Sequence, residues 1–149
     1  MGCAASVAFG VARYQARWPV VAIDGDGAAL MRLEAMASIG HYAPANLVHV
    51  VLDNQAYDST GGQRSIAGTV SFPHIAAACG YRTACSVTTL PGLTAAVEEA
   101  IGGNGPHLVH MPVALGADPK LGRPTLKPYQ VAERFSAAMA QLPAAYQER

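Results

Sequence analysis

Four short apolar runs, separated by stretches of helical spacing, predict an α/β domain of three layers, α/β/α, on a mainly parallel sheet. The runs are residues 20–23, 46–52, 81–87 and 107–113. Each is short and rich in apolar residues, as suits a strand buried on both faces. Strands joined through helices make βαβ units with right-handed crossovers. The 149 residues are the length of one ordinary domain, so 1–149 is read as a single unit.

The elements follow in order. Residues 3–15 are small and apolar and predict a helix lying close on the sheet, ended before Pro19. The first strand, from Val20 to Ile23, runs into Gly25-Asp26-Gly27. A single helix is expected over 28–42, with Leu30, Leu33, Met36 and Ala37 at helical spacing and Gly40 as its stop. The second strand ends at Asp53-Asn54. A long polar loop then runs to about Thr69, a length that in compact domains points to function or disorder. A short helix over 71–80 carries Pro73 in its first turn, and the third strand follows. The helix over 93–101 opens at Thr89-Leu90-Pro91 and closes at Gly102-Gly103. After the fourth strand, a proline- and glycine-rich loop over 116–128 leads to an amphipathic helix over 129–142. Val131, Phe135, Ala138, Met139 and Leu142 share one face of it. The tail, Pro143 to Arg149, is expected to fray.

Composition excludes several function classes. Ten basic and ten acidic residues leave no net charge, so no basic field exists to attract nucleic acid or an anionic membrane. Charged residues make up 13%, about half the ~25% of ordinary soluble domains. So bare an exterior points to burial against another chain. No apolar stretch reaches the ~18 residues of a membrane span, and no basic residue precedes the apolar start as in a signal peptide. The opening Met1-Gly2, with Ser6, also fits the loose N-myristoylation pattern. Cys3, Cys79 and Cys85 form no CxxC or His/Cys cluster, against a zinc site or disulfide framework and in favour of a reducing, cytoplasmic compartment. Cys79 and Cys85 are read as buried apolar fillers, and His49 and His110 as satisfied core histidines. Arg123 and Lys127 are read as solvated.

Ligands of parallel sheets gather at the carboxyl ends of the strands. There Gly25 and Gly27 let backbone approach a ligand closely, and the following helix start offers free N–H groups to a phosphate. Asp26 would repel that phosphate unless a cation lay between them, and magnesium suits such hard oxygen ligands. Asn54 lies 28 residues on, at the end of the neighbouring strand, where its amide oxygen can meet the same ion. The bland alternatives are a capping aspartate and an Asx turn.

GDG, one βαβ unit and an asparagine closing a strand resemble the thiamine diphosphate signature. The segment from Asp53 to Gln63, DNQAYDSTGGQ, resembles the cofactor-binding domain of the phosphonopyruvate decarboxylases and the sulfopyruvate decarboxylase beta subunit. The opening Met1-Gly2-Cys3-Ala4-Ala5-Ser6 is similar to that family's Met-Gly-x-Ala-Ser turn. The resemblance implies a thiamine diphosphate-binding fold and decarboxylation of a small 2-oxo acid to an aldehyde. It implies that Asp26, Asn54 and the Ala56 carbonyl bind Mg2+, and that Gly25, Gly27 and Ala28 cradle the diphosphate. It places Met1 under the thiamine and Tyr57 beside the reacting centre, with Thr60 and Gln63 as catalytic candidates touching substrate.

Two departures follow from the same resemblance. Ala56 stands where glycine is common, which would store strain if its φ were positive. The family's domain has a further strand and helix before the Met-Gly turn, so the fold is expected to lack its first strand and helix and to expose a sheet flank. The family's catalytic glutamate belongs to a pyrimidine-binding domain that nothing in this chain resembles. Glu34, Glu98 and Glu99 read as solvated or capping charges. A partner alpha subunit or domain, in a homo- or hetero-oligomer, is therefore expected to supply it. Two alternatives stay open: the beta half of another thiamine enzyme, such as a 2-oxo acid oxidoreductase, and a noncatalytic remnant of the fold.

Overall fold

The computed structural model describes residues 1–116, 120, 122 and 124–143. Its elements are α1 (Ala4–Tyr14), β1 (Val20–Gly25), α2 (Asp26–Met31), α3 (Ala35–Tyr42), β2 (Leu47–Asp53), β3 (Ala56–Tyr57), β4 (Gln63–Arg64), a 3₁₀ turn (Ala67–Thr69), α4 (Phe72–Cys79), β5 (Thr83–Ser86), α5 (Leu90–Gly102), β6 (His107–Pro112) and α6 (Pro128–Ala140). The main sheet has the order β1-β2-β6-β5 and every pairing in it is parallel. β3 and β4 form a small antiparallel hairpin inside the expected long loop.

Side-chain alternation along the strands sorts the layers. Ala22, Leu47, Val51 and Leu108 pack on one face against Ala5, Ala8 and Ala12 of α1, Met36 and Ile39 of α3, and Phe72 and Ala76 of α4. The alanine stripe of α1 is what lets that helix lie close to the strands. Val48 and Val50 face the other way, onto Leu93, Val97 and Ala100 of α5. Val21 and Ile23 pair with Val48 and Val50 and so share that second face. Among the described residues no helix packs down on them, and they are 40% and 63% exposed on an edge strand. α6 buries no residue, but its Phe135 and Met139, with Leu142 beyond its end, line a groove of about 860 Å³ along α1 and β1. Among the described residues no helix is long and apolar enough to cross a membrane.

Three expectations are corrected. The helix over 28–42 is two helices, because the chain turns through short bonds from Arg32 N to the Ala29 carbonyl (3.3 Å) and from Ala35 N to the Arg32 carbonyl (3.0 Å). The break lets α2 stay against β1 and β2 while α3 packs on α1 and α4. Gly40 is no stop: α3 passes it and ends at Ala43, left-handed at φ 41, before Pro44. Cys85 is exposed, since it sits on the edge strand β5, while Cys79 is half-buried; all three cysteines are free. Ala56 has no positive φ; the left-handed residue is its neighbour Gln55, at φ 59. Lys127 is exposed and starts α6, its backbone N–H donating to Gln130 Oε1 at 2.9 Å. Arg123 and residues 144–149 of the tail lie outside the described residues.

A polar chain runs through the core. His49, 1% exposed, places Nε2 3.2 Å from Asp24 Oδ2 and Nδ1 3.3 Å from the Tyr81 hydroxyl. Burial, reinforced by Cys79 and Asp24, pushes the Tyr81 hydroxyl above the ordinary tyrosine value of 10.0. A group raised on folding stabilises fully below its unfolded value, and that stability is lost as pH climbs past it. Urea denaturation should therefore show stability falling above pH ~10. Tyr81→Phe should flatten that part of the fall, at a cost of about 1 kcal/mol at neutral pH for the lost hydrogen bond.

Candidate functional site

Gly25 pairs with Leu52, so β1 and β2 end at the same rim of the sheet. Their continuations, with Met1 and the loop after β6, enclose a cavity of about 370 Å³. Met1, Gly25, Asp26, Gly27, Ala28, Asn54, Ala56 and Tyr57 all line it. Those are the eight positions that the sequence put at a cofactor.

Asp26 is the first residue of α2, yet its side chain does not cap that helix. It is 1% exposed and accepts a short hydrogen bond from the Ser65 hydroxyl, which in turn accepts from Ala67 N at 3.2 Å. Among the described residues no basic side chain pairs with it. A carboxylate buried in that way, with one hydroxyl donor and no basic partner among the described residues, is a setting that a cation would suit.

Asn54 forms the Asx turn, its Oδ1 accepting from Ala56 N at 3.0 Å. The two readings of this residue are compatible, since an amide oxygen keeps a second lone pair. The strand end beneath it is pinned. Asp53 Oδ1 accepts from Gln55 N at 3.0 Å, and Asp53 Oδ2 lies 3.2 Å from His110 Nε2, whose Nδ1 is 2.8 Å from Ser86 Oγ. His110 is thus a partnered histidine, as expected, and it braces the ligand loop.

Gly27 must be glycine for a local reason. A Cβ there would overlap the Tyr57 ring, which lies flush on this turn. Met1 is 62% exposed and its Sδ is 3.6 Å from the Ser59 hydroxyl. Thr60 and Gln63 do not line the cavity. They sit exposed at the β3–β4 turn, where Thr60 Oγ1 donates to the Tyr57 carbonyl at 3.1 Å and lies 3.5 Å from Gln63 Oε1.

Glu34 pairs with Arg32 at 3.5 Å on the surface, Glu98 and Glu99 lie on exposed turns of α5, and among the described residues no glutamate lines the cavity. Among the described residues no three His, Cys, Asp or Glu side chains gather as a metal cluster. A carboxylate, an amide oxygen and a backbone carbonyl are instead the hard, mixed set that suits magnesium.

Sequence reading missed Ser65, Asp58 and Gly116. Ser65 meets Asp26 across 39 residues and no spacing rule connects them. Asp58 stands only four residues from Asn54, and that interval within a tight loop was the available signal.

A family profile described as "Thiamine pyrophosphate enzyme, C-terminal TPP binding domain" matches residues 1–111. The chain is 50% identical over 135 residues to phosphonopyruvate decarboxylase of Streptomyces hygroscopicus, covering 91% of this chain and 33% of that protein. It is 34% identical over 116 residues to sulfopyruvate decarboxylase subunit beta of Methanothermobacter thermautotrophicus, covering 78% and 60%. The crystal structure of benzoylformate decarboxylase from Polynucleobacter necessarius superposes with a TM-score of 0.59 at 20% identity, over 68% of this chain and 20% of that one. That last likeness concerns the fold. The chain spans about a third of the first of these relatives.

Proposed function

The chain belongs to the thiamine pyrophosphate enzyme family by its C-terminal TPP-binding domain, and on that premise we propose that it is the cofactor-binding half of a magnesium-dependent 2-oxo acid decarboxylase. Its substrate would be phosphonopyruvate or sulfopyruvate, and its products an aldehyde and CO2. One observation supports this most: the buried Asp26, which has no basic partner among the described residues, lines with Asn54 and Ala56 a single cavity of about 370 Å³. The names of the similar decarboxylases support the substrate class.

Thiamine diphosphate, when bound, supplies the electron sink for the pair released as CO2 departs. This chain's residues do the rest of what falls to its side of the site. Asp26, Asn54 and the Ala56 carbonyl would hold the magnesium. Gly25 keeps the strand end open, and the N–H groups of Gly27 and Ala28 would receive the diphosphate. Met1 would pack against the thiamine. The Tyr57 ring walls the cavity and excludes water, while Thr60 and Gln63 meet substrate from the exposed hairpin turn.

A partner supplies the glutamate against the pyrimidine ring, since among the described residues none lines this cavity. The uncovered Val21, Ile23 and Trp18 beside the α6 groove are the apolar face that such an oligomer would bury. Free cysteines favour a reducing, cytoplasmic setting. The test is CO2 release from each of the two acids with thiamine diphosphate and magnesium. The chain alone should give none at enzyme rates, and adding a pyrimidine-binding alpha subunit should restore turnover. Full turnover by the chain alone removes the need for a partner, and no turnover with either acid after reconstitution overturns the decarboxylase reading.

A further inference from the structure

We infer that Asp58 is a positioning residue for Asn54: it fixes which end of the Asn54 amide is presented as oxygen and ties the loop after β6 to the same cavity. This role rests on the cation-binding reading above.

The two ends of an asparagine amide are nearly equal in shape and opposite in chemistry. Its oxygen binds a cation and its NH2 repels one. The Asx turn alone is a weak guarantee of orientation, because a single N–H from Ala56 holds the oxygen. A carboxylate can only accept, so it admits nothing but the NH2 end. Asp58 Oδ2 receives Asn54 Nδ2 at 2.9 Å. With Nδ2 held there and Oδ1 on Ala56 N, the amide has one orientation, and the second lone pair of Oδ1 stays available.

The same carboxylate oxygen also accepts from Gly116 N at 3.1 Å. Gly116 has φ 105, a conformation that glycine adopts without penalty. It lies four residues after β6, whose end is joined to β2 by Val113 N donating to the Asp53 carbonyl at 2.8 Å. One oxygen atom thus links the end of β2, the β3–β4 turn and the loop after β6. Asn54, Asp58 and Gly116 all line the cavity that Asp26 faces. Asp58 is exposed, yet one of its oxygens gathers donors from 4 and 58 residues away, more than a charge facing solvent alone would hold.

The test follows uptake of Mn2+ by the full chain in the presence of thiamine diphosphate, read from the electron paramagnetic resonance of free Mn2+. Asp58→Ala should weaken uptake about 10- to 100-fold, the range for groups that orient a metal ligand. Asp58→Asn keeps an accepting oxygen in place and should restore uptake close to that of the unaltered chain. Thermal unfolding of the cation-free chain, recorded for both, should show a cooperative transition in each, so that lost uptake is told from lost fold. If Asp58→Ala does not fold, Asp58→Ser serves in its place, since its shorter hydroxyl no longer reaches both donors, and the same weakening is expected. Unchanged uptake in the Ala or Ser variant overturns the role of Asp58 alone. So does an Asp58→Asn variant as weak as Asp58→Ala, because negative charge rather than orientation would then be at work. An unaltered chain that takes up no Mn2+ overturns the cation reading itself, and this role with it.

Discussion

Asp26→Ala should abolish the magnesium dependence of thiamine diphosphate binding while leaving the fold in place. Asp26 is the only carboxylate among the three oxygen donors proposed for the ion, and the other two are neutral. Groups that merely orient a metal ligand are worth about 10- to 100-fold in affinity, so losing the charged ligand should exceed about 100-fold. Stability should move little. The variant leaves the Ser65 hydroxyl without its acceptor, but it also removes a carboxylate that is 1% exposed and has no basic partner among the described residues. Those changes oppose each other. Calorimetric titration with thiamine diphosphate, with and without magnesium, reads the first effect, and thermal unfolding without cofactor reads the second. If the variant binds as tightly as the unaltered chain, Asp26 is not a ligand.

The largest stability effect is expected far from that cavity, at Gly40. A Cβ on Gly40 would overlap the carbonyl of Cys79 and lie 3.2 Å from Gly80 N, so backbone atoms stand in the way. Backbone cannot rotate aside, and α3 and α4 would have to separate. That opens the core around Ile39 and Ala76, both 0% exposed. Overpacking of this kind costs about 3 kcal/mol or more, or roughly 10 °C in melting temperature for a chain of this size. Gly10 is the control. It sits inside α1 with open space where its Cβ would be. Gly10→Ala should raise stability by about 0.5–1 kcal/mol through helix propensity. Thermal melts of the two variants should therefore shift in opposite directions.

Gly40 also marks where sequence reading stops. A glycine near the end of an apolar period is a fair helix stop, and nothing local distinguishes it from a glycine demanded by a helix that crosses 39 residues later. β2 was the most legible strand, because a strand buried on both faces leaves a continuous apolar run whatever its neighbours do, whereas the same trace at β1 did not tell that Val21 and Ile23 would stay exposed on an edge. The break at Arg32–Glu34 was not legible. Leu30, Leu33 and Met36 keep helical spacing through it, and the turn is imposed by the different surfaces that α2 and α3 must meet. Cys85 misled for a similar reason: a cysteine in an apolar run reads as buried, and only the strand order puts β5 at an edge.

The site shows the same division. Asp26 and Asn54 could be paired from sequence because one βαβ step always brings two strand ends together. The residues that hold them could not. Ser65 reaches Asp26, and Gly116 reaches Asp58, only after the loops have closed. Strain at Ala56 depended on a positive φ there, and the chain takes that conformation at Gln55 instead, where the Asp53 carboxylate accepts the backbone N–H.

The most direct measurement is a crystal structure of this chain with thiamine diphosphate and Mn2+, with the ion located by its anomalous scattering. A single ion in contact with both Asp26 and Asn54, bridging them to the diphosphate, is the outcome that the buried carboxylate and its neighbouring strand end require. An ion that touches neither side chain, or a diphosphate seated elsewhere on the sheet, would contradict the cofactor site and the decarboxylase proposal built on it.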